Sequence, residues 1–139
     1  MIIRNFIESD RETLRNIYLV SRKQTFTWFD TSGYTLADFD KDTQGEQIMV
    51  ADKEGAVIGF VSCWQPDDFI HHLFVHPAYI SHGVGKALLN AAVAALNKPV
   101  TLKCLTRNEY ALAFYRSHGW QIEEKGEGKP GDYFLMSYS

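Results

Sequence analysis

At 139 residues the chain has the size of one compact domain, against roughly 100–200 residues per domain, and leaves no room for a separate regulatory unit. Its 45% hydrophobic and 22% charged residues exclude a disordered chain. Fourteen Lys and Arg against 17 Asp and Glu give a net charge of −3, which argues against an electrostatic hold on nucleic acid and suits a cationic small substrate better.

No apolar run approaches the ~18 residues of a membrane span, and the charges at Arg4, Glu8, Asp10, Arg11 and Glu12 stand where a signal peptide would be apolar. A cytoplasmic protein with no membrane partner is expected. Cys63 and Cys104 fit no metal or redox spacing and read as small buried hydrophobes.

In chain order, Ile2 to Ile7 predicts a short strand, and Ser9-Asp10-Arg11-Glu12 has the spacing of a capping box that opens a helix. Leu14, Ile17, Tyr18 and Ser21 give that helix one apolar face as far as about Lys23. Thr25 to Tyr34 breaks the pattern and reads as a loop whose aromatics, Phe26, Trp28, Phe29 and Tyr34, line or seal something. Thr35 to Asp38 opens a second short helix. Period-two patterning then predicts strands over Gln47 to Asp52 and Ala56 to Trp64 around a turn at Lys53-Glu54-Gly55. After a turn at Gln65 to Asp68, a third strand runs from Phe69 to Val75 and stops at His76-Pro77. Gly83 to Leu96 predicts a helix with Val84, Ala87, Leu88, Ala91 and Leu96 facing inward. A buried strand over Val100 to Leu105, a helix over Asn108 to Ser117 and strands over Trp120 to Glu124 and Tyr133 to Tyr138 complete the chain. Seven strands and four helices make the expected class α+β, with residues 1–139 as one domain.

The segment from Leu73 to Leu89 joins a strand, a glycine loop (Ser81-His82-Gly83-Val84-Gly85-Lys86) and a helix start. Backbone amides of a first helical turn are unpaired, and glycines let a phosphate approach them, so the arrangement suits an anion. A dinucleotide fingerprint fails because Leu88 stands where a third small residue is needed. A P-loop fails because Ala87 follows Gly85-Lys86 where Ser or Thr is required. Alternatively, Gly83 and Gly85 only shape a turn.

A second constellation, Asn108-Glu109-Tyr110-Ala111-Leu112-Ala113-Phe114-Tyr115-Arg116-Ser117-His118-Gly119-Trp120, weighs against that plainer reading. Together the two segments resemble the GNAT superfamily of acyl-coenzyme A dependent N-acyltransferases. The family's Val-x-Pro strand end, its (Arg/Gln)-x-x-Gly-x-(Gly/Ala) loop and its Asn-x-x-Ala-x-x-Phe-Tyr helix fall on these residues, and the element order matches from Ile2 to Tyr138. One position departs: the family's Arg or Gln falls on Ile80.

The resemblance implies the family's fold, a mixed, mostly antiparallel central sheet of six to seven strands flanked by about four helices, and acetyl-coenzyme A as cosubstrate, with no metal. Leu73, Phe74 and Val75 would pair with the pantetheine arm, and His82, Gly83, Val84, Gly85 and Lys86 would hold the pyrophosphate, in a slot where the strand ending at Val75 splays from Val100 to Leu105. Asn108 either orients the pantetheine region or serves as a plain helix cap. Tyr115 sits where many members place the general acid. Its reference pKa of ~10, above the ~8.5 of a thiol, allows a shared proton without a large shift. The alternative for Tyr115 is a packed core aromatic. Strand alternation puts His71 on the face of Leu73 and Val75 with His72 opposite, and because base-bearing positions in the family share parity with the last strand valine, the resemblance favours His71 as base. Either histidine can instead be structural, and His118 and His76 read as surface positions. Trp28, Phe29 and His72 are candidates for binding the acceptor, the aromatics through cation–π contact with an amine. The implied partner is a small-molecule or peptide amine of unread identity; a homodimer is compatible. A silent acyl-coenzyme A binding module is the competing function, favoured by Ile80.

Overall fold

A computed structural model describes residues 1–139. The elements are β1 (Ile2–Asn5), α1 (Arg11–Thr25), α2 (Asp38–Asp42), β2 (Gln47–Lys53), β3 (Ala56–Trp64), β4 (Phe69–Val75), α3 (Val84–Ala95), β5 (Val100–Leu105), α4 (Glu109–Ser117), β6 (Gln121–Gly126) and β7 (Tyr133–Tyr138). The seven strands form one sheet in the order β1-β2-β3-β4-β5-β7-β6. All neighbours are antiparallel except β4 and β5, which α3 connects as a crossover. This is the expected α+β architecture. No helix is long and apolar enough to cross a membrane.

The two faces of the sheet carry two cores. On one, Leu14, Ile17 and Tyr18 of α1 and Phe39 of α2 pack on Val50 and Phe60. On the other, α3 contributes Val84, Leu88, Leu89 and Ala92, which pack with Leu96 against Val61, Ile70, Val100 and Leu102. The buried edge of α3 therefore runs through Leu89 and Ala92, while Ala87 and Ala91 are only half-buried. The β2–β3 hairpin closes through Glu54 and Gly55, both at positive φ (53° and 90°), the conformation of a tight two-residue turn. Asp52 accepts the Gly55 amide there at 2.8 Å.

The start of α1 differs from the capping-box expectation. A 3-10 turn, Glu8–Asp10, precedes the helix, and the N-cap position falls to Asp10 rather than Ser9. The Asp10 carboxylate accepts the Ile7 amide (2.9 Å) and pairs with the Arg4 guanidinium (2.9 and 3.0 Å). The Asp10 carboxylate, held in place by Arg4 from β1, thus accepts the amide ahead of the 3-10 turn, and no side chain caps α1 itself.

Two irregularities in β4 position the site. Its pairing with β5 is confined to Phe69↔Thr101 and Ile70↔Leu102; beyond these, β4 stays with β3 as far as Val75↔Gly59 and β5 stays with β7 as far as Leu105↔Tyr133. The strands part into a V, leaving the backbone of residues 71–75 unpaired on its β5 side. The second irregularity is a bulge, where Ser62 faces His72 but Cys63 faces Ile70, so His71 is the extra residue.

Candidate functional site

A cavity of about 390 Å³ opens between the parted end of β4 and α4. Leu73, Phe74 and Val75 of β4 form one wall, and Ala111, Phe114 and Tyr115 of α4 the other, with Asn108 at the start of that wall. Gly83, Gly85 and Lys86 close one end at the start of α3. Eight of the residues picked from sequence are brought together here: Leu73, Phe74, Val75, Gly83, Gly85, Lys86, Asn108 and Tyr115.

The α3 end presents free backbone amides. Gly83 caps the helix in the left-handed conformation (φ 78°), where a Cβ would be strained. The first bond closing on that cap runs from the Ala87 amide to the Gly83 carbonyl (3.1 Å), so the amides of Val84, Gly85 and Lys86 lie outside the helix ladder. A Cβ on Gly85 would meet Phe114 at 3.5 Å and Val75 at 3.9 Å, so this glycine keeps the slot open between its two walls. The Val84 side chain points into the core and leaves only its backbone for a ligand. His82 is exposed and does not line the cavity, whereas Ile80, 41% exposed, does.

Asn108 proves to be a helix cap and a cavity residue at once: its Oδ1 accepts the Ala111 amide at 3.2 Å. Tyr115 stacks edge-on against Phe114 and Trp120, with ring centroids 5.4 and 5.9 Å away. Burial, and then the nearby Cys104, push its phenol well above the ordinary range. Desolvation disfavours a thiolate in the same slot as it does the phenolate. Burial likewise pushes the Cys104 thiol up to about 11 and that of Cys63 up to about 12.

His71 and His72 do not line the cavity, and their alternation is not the one expected. The bulge puts both rings on one side of the sheet, with centroids 3.8 Å apart, while Leu73 and Val75 pack against the core on the other face. The His71 ring, 43% exposed, places Nδ1 2.5 Å from the carboxylate of Glu46. The same carboxylate accepts the Ser62 hydroxyl. Burial raises the Glu46 carboxyl, but the hydrogen bonds to His71 and Ser62 outweigh it and hold the group below its usual value. His72 lies deeper, edge-on to Tyr18 (5.2 Å), with Nε2 3.3 Å from the Asp42 carbonyl. Burial, and then the charge on His71, push it down to about 4, so it is neutral at pH 7.

Glu46, His71 and His72 bring three potential metal-ligand atoms within 4.8 Å of one another. The 2.5 Å contact between Glu46 and His71 is a hydrogen bond, shorter than the roughly 3.3 Å between two ligands of one tetrahedral ion with bonds of ~2.0 Å.

Trp28 and Phe29 also lie off the cavity lining. Phe26, Trp28 and Phe29 stack on one another at 5.3–5.7 Å, and the Arg107 guanidinium, from the turn before α4, sits 5.7 Å over Trp28. The loop thus bridges from α1 toward the far side of the V. Arg22, held between the rings of Tyr18 (3.7 Å) and Tyr34 (4.1 Å), anchors it.

Sequence reasoning missed Glu46, whose link to His71 spans 25 residues and has no local signature. It also underrated His118, which lines the cavity; there Nδ1 donates to the Phe114 carbonyl at 2.7 Å, a helical i−4 spacing that the sequence does display.

A family model described as the acetyltransferase (GNAT) family matches residues 11–120. YiaC of Escherichia coli K12, a peptidyl-lysine N-acetyltransferase, is 32% identical over 76 residues, covering 55% of this chain and 51% of that protein. An uncharacterized N-acetyltransferase of Archaeoglobus fulgidus is 32% identical over 139 residues, covering 89% and 87%. The chain spans about half the length of the E. coli relative and 41% of a Prochlorococcus marinus one. Among solved structures, apo YjaB of E. coli superposes with a TM-score of 0.79 at 23% identity, over 99% of this chain and 98% of that one. The PaiA N-acetyltransferase of Thermoplasma acidophilum, in complex with coenzyme A, gives 0.78 at 21%, with the same coverage. Identities this low bear on the fold alone.

Proposed function

Because this chain belongs to the acetyltransferase (GNAT) family, we propose that it is a single-domain cytoplasmic enzyme that moves an acetyl group from acetyl-coenzyme A directly to a primary amine. The observation that carries this reading is the V between β4 and β5, with α4 as its second wall and the open start of α3 at its end. The unpaired edge of residues 71–75 offers a pantetheine arm the hydrogen bonds of an added strand. The free amides at Val84, Gly85 and Lys86, with the Lys86 ammonium, suit a pyrophosphate.

Tyr115 is the general acid in this reading. Its raised pKa keeps the phenol protonated through neutral pH, so it donates to the sulfur as the C–S bond breaks. His71, the exposed histidine where the strands part, takes the proton of the acceptor ammonium. Trp28, Phe29 and His72 border the acceptor side rather than the coenzyme slot. Direct transfer, rather than an acyl-enzyme, is supported by the thiols: Cys63 and Cys104 are buried, with raised pKa values that suppress the thiolate. No step asks for a metal. The acceptor we put first is a lysine side chain, on the likeness to the E. coli peptidyl-lysine N-acetyltransferase.

A silent coenzyme-binding module is the second reading, favoured by apolar Ile80 on the cavity wall. Thiol release from acetyl-coenzyme A across lysine peptides, polyamines and aminoglycosides separates the two. Release that depends on an amine supports the enzyme, and tight coenzyme binding without release with any amine supports the module.

A further inference from the structure

Glu46 has no place in the scheme above, yet its environment is specific. The carboxylate is nearly buried, at 6% exposure, just ahead of β2, and it spends its oxygens on two hydrogen bonds, from Ser62 and from His71 Nδ1. An ionised carboxylate only accepts, so the hydrogen in the 2.5 Å contact belongs to Nδ1. Neutral imidazole carries one N–H, so its lone pair then sits on Nε2, which makes no hydrogen bond in the structure. The bulge turns this ring to the α1/α2 side immediately after Ile70, the last β4 residue paired with β5. The charged and titratable groups around it are Glu46, neutral His72 and, behind His72, Asp42, which accepts the Tyr18 hydroxyl at 2.6 Å. No second cation opposes a charge on His71.

We propose that Glu46 is a positioning residue that fixes His71 as the Nδ1–H tautomer, so that Nε2 receives the proton of the acceptor ammonium. This rests on the acetyl-transfer reading. In the step, an N–H bond of the ammonium breaks and its electron pair stays on the amine nitrogen. An Nε2–H bond forms, and the resulting imidazolium is paired with the Glu46 carboxylate until it loses the proton to solvent through its exposed edge.

Two measurements on the full chain test this. Histidine 15N shifts of the parent protein at about pH 8, above the histidine range, should show His71 protonated at Nδ1 and bare at Nε2; an Nε2–H tautomer overturns the proposal. In thiol-release kinetics with acetyl-coenzyme A and a lysine peptide, Glu46→Gln keeps the side-chain size and should lower kcat about 10–100-fold, below the full worth of a general base, with KM for acetyl-coenzyme A unchanged. In a His71→Gln background the same change should cost nothing further, because Glu46 acts only through that ring. An equal loss in both backgrounds means Glu46 merely supports the fold, and overturns the proposal. If the parent protein releases no thiol with a lysine peptide or with spermidine, the base role falls with the transfer reading, while an Nδ1–H signal still upholds the positioning of His71 by Glu46.

Discussion

His72 ties the site to acid stability, and the structure gives the size of the effect. Its ring is packed edge-on to Tyr18 beside Phe74, with His71 stacked on its other side. Burial, and then the His71 charge, lower its pKa from 6.5 to about 4. Between those values the unfolded chain holds a proton that the folded protein refuses. Stability is therefore fully present above pH ~6.5, falls as the pH drops, and levels off below ~4. At ~1.36 kcal/mol per pH unit the loss is about 3 kcal/mol, a sizeable share of the ~5–15 kcal/mol that holds a domain folded. Glu46, with its carboxyl held below the usual value, adds a loss of the same sign further into acid. The assay is urea unfolding at half-unit steps from about pH 7 to about pH 4, on the parent protein and on His72→Phe. Phenylalanine keeps a ring against Tyr18 but has nothing to titrate. It forfeits the contact with the Asp42 carbonyl, at a cost of about 0.5–1.5 kcal/mol at neutral pH. The parent should lose about 3 kcal/mol more than the variant across the window. Parallel curves would refute the reasoning, since His72 would then be charged in the folded protein at no cost.

Tyr115→Phe keeps the ring against Phe114 and Trp120, so stability and coenzyme affinity should hold while turnover falls by roughly 10²–10⁴; parent-rate turnover would remove Tyr115 from the chemistry. Gly85→Glu pushes bulk and negative charge between Phe114 and Val75, and calorimetry should find coenzyme A binding lost in a folded protein, with unchanged affinity placing the ligand elsewhere. Ile80→Arg substitutes an exposed cavity residue and should tighten coenzyme A binding by about tenfold through a charge-assisted contact; equal affinity would mean position 80 does not reach the phosphates.

Much of this site was legible because its parts are local. Strand, glycine loop and helix start follow one another from Leu73 to Leu89, and the cap Asn108 lies seven residues before Tyr115 on the same short helix. The strand boundaries of β4, β5 and β7 come straight from hydrophobic patterning between breakers. What escaped depends on long-range pairing. Alternation predicts opposite faces for His71 and His72, and only the register of β3 against β4 reveals the bulge that puts them together. The Glu46 carboxylate reaches His71 across the whole β2–β3 hairpin, and Arg4 takes Asp10 from a strand that periodicity treats separately. Trp28 and Phe29 are equally compatible with lining a pocket and with sealing the core under the loop, and composition does not distinguish the two.

The central claim, direct acetyl transfer within the V-shaped slot, is tested most directly by initial rates of thiol release with acetyl-coenzyme A and a lysine peptide varied together. The account predicts intersecting reciprocal plots and one acetyl group on the peptide for each thiol released. Parallel plots would route the acetyl group through a side chain, and thiol release indifferent to the peptide would mean that no amine is acetylated; either result contradicts it.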